Sequence, residues 1–163
     1  MHAGPVIGLR KPDAARSALM GRVRQRDTRP EQAVALALRS LGIAYRKNVR
    51  SLPGSPDFAN KSRKWAVFVH GCFWHCHTGC RRATTPKANR DFWLAKFAAN
   101  RSRDARVIRT LRAMGFRVAI IWECTVTDAE RRLSEMLETR GVDEGRAVVL
   151  VRNRRCRRSA APA

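Results

Sequence analysis

The stretch WAVFVHGCFWHCHTGC, residues 65 to 80, decides how the rest of the chain is read. Trp65-Ala66-Val67-Phe68-Val69 is a short apolar run, the composition of a buried strand. It delivers His70 to its end. The residues that follow hold, with His70, three of the chain's four histidines and three of its five cysteines, around an adjacent Phe73-Trp74 pair. A metal site, a catalytic site and the lining of a core are all open readings of such a segment, and the flanking sequence has to separate them.

Upstream, LPGSPDF (residues 52 to 58) is a run of turn residues leading into a short extended piece around Asp57 and Phe58. Before it, Thr28-Arg29-Pro30-Glu31 has the S/T-x-x-E form of a capping box, in which the Thr hydroxyl and the Glu carboxylate satisfy backbone donors at a helix start. That helix should run through Val34, Leu38 and Leu41 and stop at Gly42. Downstream, Asn89 to Met114 carries apolar positions at Phe92, Phe97, Ala105, Ile108 and Leu111. Those spacings predict a long helix with a basic outer face, closed by Gly115. Arg117 to Trp122 is a second buried strand, ending in Glu123-Cys124. A third helix is expected from Thr127-Asp128 to Arg140, and AVVLV, residues 147 to 151, as a last strand. The order predicts an α/β sandwich in which helices cover a small mixed sheet.

The chain has 163 residues, enough to bury one good core, so a single domain over residues 12–150 is expected. Residues 1–11 read as a loose, flexible arm, and residues 151–163 as a basic, disordered tail containing Cys156. Lys and Arg outnumber Asp and Glu by 34 to 13, a formal charge of +21. A surplus that large repels itself unless it faces a polyanion, and nucleic-acid phosphate is the commonest. Drift of composition toward Arg and Ala is the plainer alternative. No apolar run is long enough to span a bilayer, and the N-terminus lacks a signal peptide's apolar region. A cytoplasmic protein with no membrane partner is therefore expected. Thiols stay reduced there, which favours metal ligands or free thiols over disulfides.

From the residues alone, each candidate has two readings. Asp57 after Pro56 is either an ordinary turn residue or a carboxylate placed to hold a divalent cation. His70 and His75 are structural or chemical. Glu31 already has a capping role. Cys72, His77, Cys80 and Cys124 supply the four ligands that structural zinc prefers, though not in a standard finger spacing; Cys76 is an additional thiol that leaves the third ligand open. Buried unmetallated thiols are the bland alternative. Phe73, Trp74 and Trp93 would ordinarily be core, as Phe92 is expected to be.

Five segments, RQRDTRPEQ, SLPGSPDF, FVHGCFWH, the NRDFW…N…RD helix and IIWEC, occur in an order and spacing that resemble the very-short-patch-repair DNA mismatch endonucleases. The resemblance covers roughly residues 12 to 125 and implies a restriction-endonuclease-like α/β/α sandwich with a structural zinc site. It implies a monomeric, Mg²⁺-dependent endonuclease that nicks double-stranded DNA 5′ of the thymine in a T:G mismatch, the product of 5-methylcytosine deamination. Mismatch-repair proteins are candidate partners. By the same resemblance, Asp57 and the backbone carbonyl of Val69 hold Mg²⁺, with Glu31 reaching its water shell. His75 is the general base, Asp104 orients it, and His70 assists at the phosphate. Cys72, His77, Cys80 and Cys124 hold Zn²⁺. Phe73, Trp74 and Trp93 act as wedges in the duplex, and the segment from Arg16 to Arg24, including Met20, Arg22 and Arg24, grips the opposite groove. Two rivals remain: a sequence-specific nicking or restriction nuclease on the same scaffold, and a noncatalytic zinc-dependent DNA-binding module.

Overall fold

The computed structural model describes residues 26–138. The expected arm, the groove-gripping segment with Met20, Arg22 and Arg24, the strand at 147–151 and the basic tail lie outside the described residues.

Helix α1, Arg29–Ser40, starts where Thr28 takes an extended backbone and its hydroxyl accepts from the Glu31 amide. Pro30 sits in the first turn, where its missing N–H costs nothing. Val34, Ala35, Ala37 and Leu38 form the buried stripe. Leu41, expected to extend it, is instead the C-cap and stays exposed, because the chain turns away through Gly42 at φ +64°.

Four strands form one sheet in chain order: β1 (Arg46–Lys47), β2 (Phe58–Asn60), β3 (Trp65–His70) and β4 (Arg117–Trp122). The first two pairings are antiparallel and the third is parallel, so the sheet is mixed as expected. β1 was not anticipated; two exposed residues carry no periodic signal. A parallel pair needs a long crossover, and the Cys/His segment followed by helix α2, Arg90–Ala113, supplies it. A 3₁₀ segment, Glu123–Asp128, takes in the expected start at Thr127-Asp128 and leads into helix α3, Ala129–Glu138.

Alternation along β3 divides the core into two layers. Trp65 and Val67 pack with Val34 and Leu38 of α1 and Leu133 of α3. Ala66 and Phe68 face the other way, onto Leu111 of α2 and Phe116 in the link that follows it. Helices thus cover both faces, giving the expected α/β/α arrangement. His70 shares its strand face with Phe68, so it emerges on the side that α2 covers.

The packed stripe of α2 differs from the one expected. Ala105 is exposed and Phe92 only half-buried, while Phe97 and Leu111 are buried. The inward line runs Phe97, Asn100, Asp104, Val107, Leu111, in steps of three and four. Two of its members are polar, which is why apolar spacing alone misplaces it. Against Val107 sits Gly54, at φ +72°, where a Cβ would meet the Val107 Cγ1 at 2.4 Å. That close approach brings the loop before Asp57 against the helix that carries Asp104.

Candidate active site and metal centre

Beyond the end of β3 lies a cleft of about 400 Å³ whose lining includes Asp57, Val69, His70, His75, Arg103 and Asp104. It gathers residues from four places: the turn before β2, the end of β3, the Cys/His segment and α2. His75 Nδ1 lies 2.5 Å from Asp104 Oδ2. The His75 ring stacks on His70, with centroids 3.7 Å apart and planes within 8°. Asp57 Oδ2 accepts from the Val69 amide at 2.7 Å, joining the turn to β3.

Burial dominates the electrostatics of this cleft. It pushes the Asp57 carboxyl up to about 6, against the stabilising Val69 N–H and with the help of the nearby Glu31 charge. Burial, reinforced by the adjacent His75, pushes His70 down to about 3, so this imidazole is neutral at physiological pH. His70 Nδ1 is buried with no hydrogen-bond partner among the described residues. Glu31 is also buried but is not part of the cleft lining. Its carboxylate accepts from the Thr28 hydroxyl at 2.7 Å and from the Asp27 amide at 2.9 Å. The expected capping box therefore forms in a shifted version, reaching the amide one residue before the N-cap.

Among the described residues, two side-chain groups bring ligand atoms within 4.8 Å of one another: Cys72, His77, Cys80 and Cys124, and His70, His75 and Asp104. They differ in what they can hold. In the first, His77 Nδ1 lies 3.7 Å from Cys72 Sγ and 3.3 Å from Cys124 Sγ. Those separations bracket the roughly 3.6 Å that tetrahedral bonds from zinc to sulfur and nitrogen would give. Cys80 belongs to this group and Cys76, at φ +48°, does not. Burial and the neighbouring thiols push Cys124 up to about 12. Burial also raises Cys72. At Cys80 burial is outweighed by the Arg82 amide and the other two thiols, and its thiol is held below the ordinary value. Three thiols and one imidazole form a soft donor set that fits zinc. In the second group the nearly parallel rings direct their in-plane lone pairs side by side, and an Asp104 oxygen is already engaged with His75. That arrangement suits proton handling better than coordination.

The aromatic residues have apolar neighbours of their own. Phe73 meets Trp74 at 5.1 Å, Trp93 at 5.2 Å and the buried Phe97 at 5.4 Å between centroids. Phe73, Trp74 and Trp93 keep part of their surface open, and Lys96 Nζ lies over the Trp74 and Trp93 rings at 5.6 and 5.5 Å. They form a half-exposed aromatic cluster beside the cleft, crowned by a cation.

Two residues here carry no signal in residue type alone, Asn100 and Glu123. Asn100 donates from Nδ2 to the Trp74 carbonyl at 2.8 Å. Its position four residues before Asp104, on the same helix face, is the signal that could have found it. Glu123 accepts from the Cys72 amide and pairs with Arg82, each at 3.4 Å, beside the thiol group.

The family described as DNA mismatch endonuclease Vsr matches residues 11–82. The chain is 46% identical over 126 residues to the type II nicking enzyme V.XorIIP of Xanthomonas oryzae pv. oryzae, across 76% of this chain and 92% of that protein. It is 40% identical over 127 residues to the DNA mismatch endonuclease Vsr of Escherichia coli, across 78% and 81% respectively. The type II nicking enzyme V.NmeAIP of Neisseria meningitidis is 40% identical over 109 residues, across 67% and 77%.

Proposed function

The chain belongs to the Vsr family of DNA endonucleases, and from that premise we propose that it nicks one strand of double-stranded DNA 5′ of the thymine in a T:G mismatch. The observation that carries the reading is the His75–Asp104 pair lying in one cleft with Asp57 and His70. A formal charge of +21 suits a polyanionic substrate.

In this mechanism Asp57 and the Val69 carbonyl would hold Mg²⁺. Both line the cleft, and the buried Asp57 carboxyl, raised to about 6, is of a kind that a divalent cation would favour in its charged form. Bound there, the ion supplies neutralisation of phosphate charge and lowers the pKa of water. His75 takes a proton from the attacking water. Asp104, held on Nδ1, fixes the tautomer that leaves the other ring nitrogen free as a base, and it stabilises the imidazolium that forms. His70, kept neutral by burial, offers an N–H to the phosphate rather than a full charge. In-line attack breaks the bond to the 3′ oxygen and leaves a 5′-phosphate and a 3′-hydroxyl. Cys72, His77, Cys80 and Cys124 hold zinc and fix the segment that bears His75.

Recognition of the mispair is assigned to Phe73, Trp74 and Trp93, whose half-open cluster can enter a base step. Unstacking costs a few kcal/mol and less at a mispair, so insertion itself discriminates. The test compares nicking of a T:G duplex with the same sequence carrying C:G or T:A. Faster nicking of T:G is expected, most clearly within a cytosine-methylation site, and Phe73→Ala with Trp74→Ala should erase the preference. Equal cutting of all three across a panel of flanking sequences would favour the second reading, a sequence-specific nicking enzyme. Relatives named type II nicking enzymes keep that reading in play.

A further inference from the structure

Trp122 closes β4 directly opposite His70 in the parallel pair, so both side chains leave the same end of the sheet on the same face. Its indole lies flat on the His77 imidazole, with centroids 4.0 Å apart and planes within 3°. The same indole meets His70 nearly at right angles at 5.3 Å and His75 at 6.4 Å. One ring therefore touches the nitrogen donor of the thiol group and both imidazoles of the cleft.

His70 depends on such a wall. The ring torsion of histidine is soft, and a hydrogen bond usually fixes it. His70 Nδ1 has no such partner among the described residues, so packing sets its rotation: His75 stacks at 3.7 Å, Trp122 stands at 5.3 Å, and Phe68 lies farther off at 6.1 Å. His75 is held differently, by Asp104. The indole in turn is steadied by His77, whose own freedom is lost when its nitrogen binds a metal.

We propose that Trp122 is a positioning residue that ties the orientation of His70, and through it the stacked His75, to the loaded state of the Cys72, His77, Cys80 and Cys124 group. The effect on rate rests on the nuclease reading above; the effect on the imidazoles rests on ring geometry alone. The metal centre then does more than hold the segment folded. It sets the walls of the hydrolytic cleft through one side chain.

The experiment uses full-length, zinc-loaded protein with Trp122→Leu and Trp122→Phe. Zinc content, kcat and KM for nicking are measured, together with nuclear magnetic resonance of isotopically labelled histidine rings. Trp122→Leu should keep about one zinc per chain. Its KM should stay within about twofold of wild type while kcat falls about ten- to a hundredfold, the scale of a misplaced catalytic group. Trp122→Phe, flat but smaller, should recover much of that loss. Exchange of zinc for cadmium should move the His70 and His75 signals in wild type and leave them unmoved in Trp122→Leu. Wild-type kcat in Trp122→Leu, or an equal response of those signals to cadmium in both proteins, would overturn the proposal. Should Trp122→Leu fail to fold, Trp122→Phe carries the comparison, with a weakened response expected and an undiminished one overturning it. If wild-type protein cuts no DNA, the nuclease reading fails, and the cadmium comparison still decides the role of Trp122.

Discussion

His75 and Asp104 meet at 2.5 Å across a cleft, one from an irregular segment and the other from the middle of a long helix. The pairing is the last step of a ruler along α2. Phe97 packs on Phe73, Asn100 holds the Trp74 carbonyl, and Asp104 holds the His75 ring. Helix positions three and four apart share a face, so three consecutive residues of the Cys/His segment are held by one turn after another of α2. The aromatic cluster and the proposed base are thereby held by the same helix.

That pairing makes Asp104→Asn informative. An amide can accept the same hydrogen bond in one orientation but neither fixes the tautomer nor stabilises imidazolium, so kcat should fall by two or more powers of ten, on the order of 10²–10⁴. KM for DNA should change little, because phosphate contacts come from Lys and Arg side chains. His75→Ala should abolish nicking with binding retained. Single-turnover nicking and a binding titration check both, and near-normal turnover by either variant would remove the assigned roles.

The thiol group yields a prediction about which sulfur counts. Metal analysis of purified protein should find about one zinc atom. Cys72→Ser and Cys124→Ser should lose the metal and a large part of the stability, since a metal that binds only the folded site adds its binding free energy to folding. Cys80→Ser should behave like them, and Cys76→Ser should keep both metal and melting temperature. A metal-free Cys76→Ser protein would exchange the two assignments.

How much of this was legible depends on the kind of signal. Trp65 to Val69 and Arg117 to Trp122 announced themselves as apolar runs, and Thr28 to Glu31 as a helix start, because these are local and periodic patterns. The inward face of α2 was misplaced because Asn100 and Asp104 lie on it, and polar residues that face a site look solvated in sequence. Ala105 looked like its partner and is exposed. Trp122 read only as a strand end: its contacts join His77, His70 and His75, and no spacing rule along one chain encodes a ring shared by three imidazoles. Motif resemblance points to Asp57, His75 and Asp104, and the fold brings all three to one cleft.

Gly54 offers a test of how the Asp57 turn is seated. Gly54→Ala places a methyl 2.4 Å from Val107 Cγ1 at φ +72°, so it meets both a clash and an unfavourable backbone. The cost should be about 1–3 kcal/mol. Gly54→Ala combined with Val107→Ala should recover the steric part relative to the sum of the single variants, and leave the backbone part. Denaturant unfolding of the four proteins measures it; strict additivity would mean that the contact with Val107 is not what holds the turn.

Asp57 makes the last prediction because its stability and activity effects have opposite signs. Its carboxyl is raised from 3.8 to about 6 chiefly by burial, so the fold favours the protonated form. The stability tied to this group is fully present below about pH 3.8 and is lost as pH rises through about 6, a loss of at most about 3 kcal/mol when each tenfold change in acidity is worth roughly 1.4 kcal/mol. Asp57→Asn resembles the neutral form and can still accept from the Val69 amide through its carbonyl oxygen. The variant should therefore melt higher than wild type in metal-free buffer at pH 8, with the difference vanishing in acid. His70 runs the other way: lowered to about 3, it contributes stability that is present above about 6.5 and lost as pH falls toward 3. That contribution is common to both proteins and cancels when they are compared at each pH. Magnesium should raise the melting temperature of wild type by binding the folded state and leave Asp57→Asn unchanged, while nicking by the variant is abolished. Thermal unfolding with and without magnesium, at pH 4 and pH 8, checks each part. A variant that melts lower at pH 8, or one that magnesium still stabilises, would mean that Asp57 is not the buried carboxylate whose charge awaits a cation.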